Sequence, residues 1–166
     1  VTSSSSPPSR PPALTSSTAS PSAAERTLCL LFQAGADAFA IRAADVQKVN
    51  PAGHISRLPR LPVALLGITH HRGRVVTVVD AGLVVGDRAA TAGPDARLLF
   101  LERPVRHVAL LVDAVLEIES LRLPADLSTL PRGNHPSLRV AQRRGRALPV
   151  VEVGALIDAV NALTLS

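Results

Sequence analysis

A pattern written twice limits what this chain can fold into more than any other property it has. Residues 70–82 read HHRGRVVTVVDAG, and residues 143–154 read RRGRALPVVEVG. Arg-Gly-Arg, a Val-Val pair, an acid and a closing glycine return about 72 residues later. The echo extends outward. Leu30-Leu31-Phe32 aligns with Leu98-Leu99-Phe100, Ala40-Ile41 with Ala109-Leu110, Val46 and Val49 with Val115 and Ile118, and Leu58-Pro59-Arg60 with Leu130-Pro131-Arg132. Without gaps, 11 of 27 positions from Ser56 to Gly82 are identical in the second copy. Two copies are too few for a solenoid, so each is expected to build one half of a single body.

Local patterns predict what each copy contains. Residues 27–32 (TLCLLF) and 38–41 flank Gln33-Ala34-Gly35 and read as a hairpin. Residues 43–49 start as a helical turn and run into a strand that Pro51-Ala52-Gly53 ends. Pro59 and Pro62 make residues 54–62 an extended crossing, because proline lacks an amide donor and disfavours helix in the residue before it. Residues 75–79 are β-branched and continuously apolar rather than alternating, which suits a strand buried on both faces. Residues 81–85 form a short turn or helix, and 88–95 a surface loop. In the second copy, strands are expected at 97–102, at 105–115 running on through 120, and at 146–153, with a loop crossing at 124–134. Leu156, Ile157, Val160 and Leu163 fall at helical spacing and predict a C-terminal helix. The expected fold is mostly β: two SH3-like β-barrel halves, residues 27–87 and 96–163, packed around a shared core within a domain spanning 25–166.

Composition narrows the function. The chain is 166 residues long and 46% hydrophobic, yet it has only three aromatic residues, so its core must be aliphatic. The single cysteine, Cys29, lies in an apolar run and reads as a small buried hydrophobe in a reducing compartment. Residues 1–24 are rich in Ser, Pro, Thr and Ala, lack the apolar stretch of a signal peptide, and are expected to be a disordered tail. No apolar run approaches the roughly 20 residues a membrane helix needs, so a soluble, cytoplasmic protein is expected. The formal charge of +5 is carried almost wholly by arginine, with Lys48 the only lysine. A basic β-barrel that binds nucleic acid is one reading of that charge, but no exposed aromatics or reading helix accompany it. His70 and His71 are neighbours on a strand and point to opposite faces, so they do not chelate as a pair, and no metal site or cofactor is expected. Asp80, Asp113 and Glu152 fall at strand ends, where turn and salt-bridge roles are favoured over acid–base catalysis. No phosphate loop or nucleophile elbow is present, and no enzyme activity is expected.

Taken together, several motifs resemble the CheW domain of bacterial chemotaxis adaptors. They are Val46-Gln47-x-Val49, the Leu58-Pro59 and Pro62 crossing, Gly67-Ile68-x-x-x-Arg72-Gly73, residues 75–80, and Val108-Ala109-x-x-Val112-Asp113-x-Val115. The resemblance covers about residues 27 to 163. It implies two five-stranded β-barrels around a hydrophobic core and a non-catalytic adaptor. Such an adaptor bridges the cytoplasmic tips of chemoreceptors (methyl-accepting chemotaxis proteins) to the regulatory domain of a CheA-type histidine kinase, in arrays at the inner membrane. Three positions depart from the family pattern. Thr77 replaces a usual proline, which the second copy keeps as Pro149. Ala81 follows Asp80 where leucine is usual. Lys48 stands where an acid is common, a charge reversal on a segment the family uses for partner contact.

The resemblance makes Arg72 and Gly73 the leading partner-binding candidates, with Val46 and Lys48 on the neighbouring strand. Each has a structural alternative. Arg72 can instead staple the barrel through Asp80 or another acid, Gly73 can serve only the turn, Val46 can be core, and Lys48 can be a solvated charge. The reversal at Lys48 and the substitution at Thr77 also raise a second role: a competitor that occupies adaptor sites without activating the kinase. The basic run 139–146 reads as a solvated hairpin or as a patch for an acidic partner.

Overall fold

The computed structural model describes residues 26–102, 107–123 and 138–164. The expected tail, the crossing at 124–134 and the Leu130-Pro131-Arg132 echo lie outside these residues. Among the described residues, ten strands and two helices run in the order β1 (Arg26–Ala34), β2 (Asp37–Arg42), a 3-10 turn (Ala43–Asp45), β3 (Val46–Pro51), β4 (Leu65–His71), β5 (Arg74–Asp80), α1 (Ala81–Val85), β6 (Arg97–Leu101), β7 (Val108–Val112), β8 (Ala114–Arg122), β9 (Leu138–Arg143), β10 (Arg146–Val151) and α2 (Val153–Thr164). The mostly-β expectation, the helical turn before β3, the short helix at 81–85 and the C-terminal helix are all present. The single long strand expected from 105 through 120 is instead β7 and β8. They part at Asp113, whose carboxylate is drawn out of the ladder to accept from the Gly35 amide at 2.6 Å and the Thr91 amide at 2.7 Å.

The strands form two five-stranded sheets, ordered β8-β1-β2-β10-β9 and β3-β6-β7-β5-β4. Replacing each first-copy strand by its second-copy equivalent converts one order into the other, so the duplication is a true pseudo-twofold. The two five-stranded halves are present, and each is built from strands of both copies. The β1–β2 hairpin of the first copy sits between β8 and β10 of the second, and β6–β7 of the second sits between β3 and β5 of the first. Two parallel ladders, β2 with β10 and β5 with β7, stitch the exchange.

Burial explains why the apolar runs are continuous. In β1, Leu30 and Phe32 face a core shared by the two sheets, while Cys29 and Leu31 face a second cluster inside the first sheet. In β6, Leu99 and Leu101 join the shared core, while Leu98 and Phe100 fill a third cluster inside the second sheet. Both faces are apolar because both are covered. Fully burying such a Leu or Phe side chain contributes roughly 1.5–3 kcal/mol. α2 packs Leu156, Ile157 and Val160 onto the shared core, and Phe32 stacks on Phe39 there with ring centres 5.9 Å apart.

The same alternation corrects the sequence alignment of the copies. Ala40 pairs with Leu31 and its equivalent Ala109 with Phe100, while Ile41 pairs with Leu30 and Leu110 with Leu99. Leu30-Leu31-Phe32 therefore corresponds to Leu99-Phe100-Leu101, one residue later than letter matching gives. A slip of one residue turns every side chain to the other face, and only the shifted alignment puts both sets in the same cores. Thr77 is also explained. Its amide donates to the His107 carbonyl at 2.8 Å, extending the β5–β7 ladder by one pair. The β10–β2 ladder begins one residue later, at Val150, so Pro149 costs it no hydrogen bond.

Candidate functional site

β4 and β5 are joined by a two-residue turn, Arg72-Gly73, closed by the His71–Arg74 pair. Both turn residues have positive φ, 49° and 74°, the backbone of a type I′ turn, whose twist matches the strands it joins. Arg144-Gly145 repeats it at 49° and 75°. Glycine takes this conformation without strain, so Gly73 is a turn residue first. The turn projects the exposed Arg72 side chain. Asp80, the acid proposed as its staple, lies elsewhere and is occupied. It is 2% exposed, caps α1 by accepting from the Leu83 amide at 3.2 Å, and accepts from the Ala90 amide at 2.9 Å. Burial raises its carboxyl above the usual range, opposed by these backbone donors.

Next to the turn lies β3. A bulge between Val46 and Lys48 resets the alternation, so Val46 pairs with Leu101 and Lys48 with Phe100. Val46 is half-buried against the shared core. Lys48 is exposed on the side of Phe100, above the inner cluster of its sheet. His71 stacks on Phe100 with ring centres 4.1 Å apart and 25° between planes. Its Nε2 is shielded from solvent and has no hydrogen-bond partner. Burial first, then the charges of Arg72 and Lys48, lowers the imidazole pKa below its ordinary 6.5. Gln47, His71, Arg72, Arg74 and Val76 line a cleft of about 290 Å³. The structure thus brings Arg72, Gly73 and Lys48 to one surface around His71, a residue the sequence offered only as half of a rejected metal pair. Val46 anchors that surface from beneath.

The other flagged residues are structural. Glu152 pairs with Arg139 at 2.9 Å and with Arg42 at 3.3 Å. Arg143 binds Glu119 through Nε at 2.7 Å and also binds Glu117. The 139–146 run is therefore partly neutralised in place rather than displayed as a free basic strip. Among the described residues, no cluster of His, Cys, Asp and Glu could hold a metal ion, and no helix is long and apolar enough to cross a membrane. Cys29 is buried, and desolvation raises its thiol pKa, the opposite of what a nucleophile needs.

Two five-stranded sheets that exchange strands across an internal duplication are the frame that carries this surface. Residues 28–161 match the CheW-like domain, and the chain belongs to the CheW-like family of non-catalytic scaffold proteins. It is 31% identical over 137 residues to Protein FrzA of Myxococcus xanthus, covering 81% of this chain and 80% of that protein. Its fold is similar to the crystal structure of scaffolding protein TtCheW from Thermoanaerobacter tengcongensis, with a TM-score of 0.62 and 20% identity, covering 80% of this chain and 88% of that one.

Proposed function

We propose that this chain is an adaptor in a chemosensory pathway, holding chemoreceptor cytoplasmic tips and the regulatory domain of a CheA-type histidine kinase in one array at the inner membrane. The observation that carries the reading is the surface made by Arg72, Gly73 and Lys48. The sequence resemblance assigns these positions to partner contact, they lie side by side on one exposed face, and neither Arg72 nor Lys48 makes an ion pair among the described residues. A guanidinium held out on a rigid two-residue turn loses little conformational freedom when it forks onto a partner carboxylate. Arg72→Ala should leave the fold intact and lower co-sedimentation with receptor arrays and kinase by roughly tenfold, the scale of one charge-assisted contact. Undiminished assembly of that variant would remove Arg72 from the interface.

Lys48 favours a second reading, in which the chain competes for adaptor positions without supporting kinase activity. A reversed charge changes which partner surface is tolerated. Kinase activity in reconstituted arrays, measured as this protein is added, separates the two: an adaptor raises it and a competitor lowers it. The nucleic-acid reading is weakened by the internal pairing of Arg139 and Arg143. A gel shift over a salt series tests it, since phosphate-driven binding weakens steeply with salt.

A further inference from the structure

The pseudo-twofold supplies an internal standard for the cleft. Strand register sets the equivalences without any alignment of letters. Lys48 faces Phe100 on β6 as Glu117 faces Leu31 on β1, and Asn50 faces Leu98 as Glu119 faces Cys29. His71 and Arg74 close one hairpin as Arg143 and Arg146 close the other. In the second copy this triad is Glu117, Glu119 and Arg143, and the arginine clamps both carboxylates across the seam between β8 and β9. In the first copy the same three places hold Lys48, Asn50 and His71. Both carboxylates are gone and one has become a cation.

What remains at the seam between β3 and β4 is positive and unanswered. Lys48, Arg72 and Arg74 make no ion pair among the described residues, Arg72 and Arg74 line the cleft of about 290 Å³ with Gln47, His71 and Val76, Lys48 lies close enough to disfavour protonation of His71, and the His71 Nε2 is shielded without a partner. Arg72 and Lys48 already oppose protonation of His71, so the cluster carries mutual repulsion that an anion would relieve. The sister seam shows the kind of anion this geometry accommodates: two carboxylates on alternate residues of an extended segment. Phosphate-rich polymers fit less well, because His71 covers the ring of Phe100 and leaves no exposed aromatic for a base to stack on.

We propose that the cleft between β3 and β4 is a carboxylate-receiving site. Acidic side chains of a protein partner fill it, supplying beside His71 and Arg72 the carboxylates that Glu117 and Glu119 supply beside Arg143 at the sister seam. That the acid comes from a protein partner rests on the adaptor reading; the site itself does not. The charge reversal at Lys48 then has a defined effect. It removes the chain's own acid from the cleft and restricts partners to those that bring one.

The test titrates the full-length chain with a peptide copying Leu116–Ser120 (LEIES) and with its LQIQS counterpart, followed by NMR of the His71 ring and the Arg72 and Arg74 guanidinium groups. The acidic peptide should shift these signals, raise the His71 pKa and weaken with added salt. The glutamine peptide should bind at least about tenfold more weakly, as expected for loss of a charge-assisted pair. Lys48→Glu, confirmed as folded by its amide spectrum, should lose the response to LEIES. Equal binding of both peptides, shifts that map elsewhere, an undiminished response in Lys48→Glu, or inorganic phosphate matching LEIES at equal concentration would each overturn the proposal. The titration needs neither receptor nor kinase. Failure of wild-type co-sedimentation with an intact titration sinks the adaptor reading alone, and the reverse result sinks the carboxylate site alone.

Discussion

Arg72 and Arg144 have the same backbone conformation and turn neighbour, yet different surroundings. Beside Arg144, the second copy places an arginine already bound to two acids; beside Arg72, the first copy places an unpartnered imidazole stacked on Phe100. His71 should therefore set a pH dependence. Its folded pKa lies below 6.5, because burial and then Arg72 and Lys48 disfavour the imidazolium. Below about pH 6.5 the unfolded chain takes up the proton more readily than the folded one, so this contribution to stability is complete above that pH and is lost as pH falls through it. Urea midpoints measured from pH 8 to pH 5 should decline for the native chain, and His71→Phe, which keeps the stack on Phe100, should decline less. An unchanged profile in that variant would show that the imidazole is not the group responsible.

At the scale of elements, the crossing at 54–62 is tied to β4 by a backbone bridge between Ser56 and Ile68 and by the Thr69 hydroxyl, which donates to the His54 carbonyl at 3.0 Å. The Ser56 amide donates to the Ile68 carbonyl at 2.8 Å, and the Ile68 amide returns the bond to Ser56 at 2.9 Å. Gly67 makes that approach feasible. It sits at the bulge in the β4–β5 ladder with φ of 142°, and a Cβ there would lie 2.2 Å from the Ser56 carbonyl oxygen. Gly67→Ala should cost on the order of 3 kcal/mol through strain and the broken bridge. Gly53→Ala should be close to neutral, since nothing lies within 4 Å of its added methyl. Urea denaturation of the pair checks this, and similar midpoints would mean the crossing relaxes freely. The sequence marked Gly67 as part of a motif but gave no reason for it, because the atom it must avoid belongs to a segment eleven residues away.

At the scale of the whole molecule, the exchange of strands makes the halves inseparable. β1 and β2 lie between β8 and β10, so a chain ending near residue 87 would lose both neighbours of that hairpin and expose its shared core. Residues 1–87 and 88–166, expressed separately, should each remain unfolded and should regain β structure only when mixed, read by circular dichroism. A stable, monomeric fold of either piece alone would contradict the exchanged topology. The exchange also positions the candidate site, since the cleft is lined by Gln47, His71, Arg72, Arg74 and Val76 of the first copy and His71 is held there by stacking on Phe100 of the second.

The sequence by itself determined most of the strands, the duplication, the aliphatic core and the family, because these follow from local periodicity, turn chemistry and repeated motifs that neighbours in the chain carry together. It also marked Arg72 and Lys48, one by motif and one by its reversed charge. Only the tertiary structure decided which strands share a sheet, since hydrogen-bond partners of β1 and β6 lie in either copy and both choices satisfy the same apolar pattern. Only the structure corrected the alignment by one residue, since the identity of two leucines says nothing about which face each one presents. The same register then set Lys48 against Glu117, Asn50 against Glu119 and His71 against Arg143. That comparison changes a scattered set of basic residues into one cleft lacking the acids its sister contains, because electrostatic partners are defined by distance in space and not by distance along the chain.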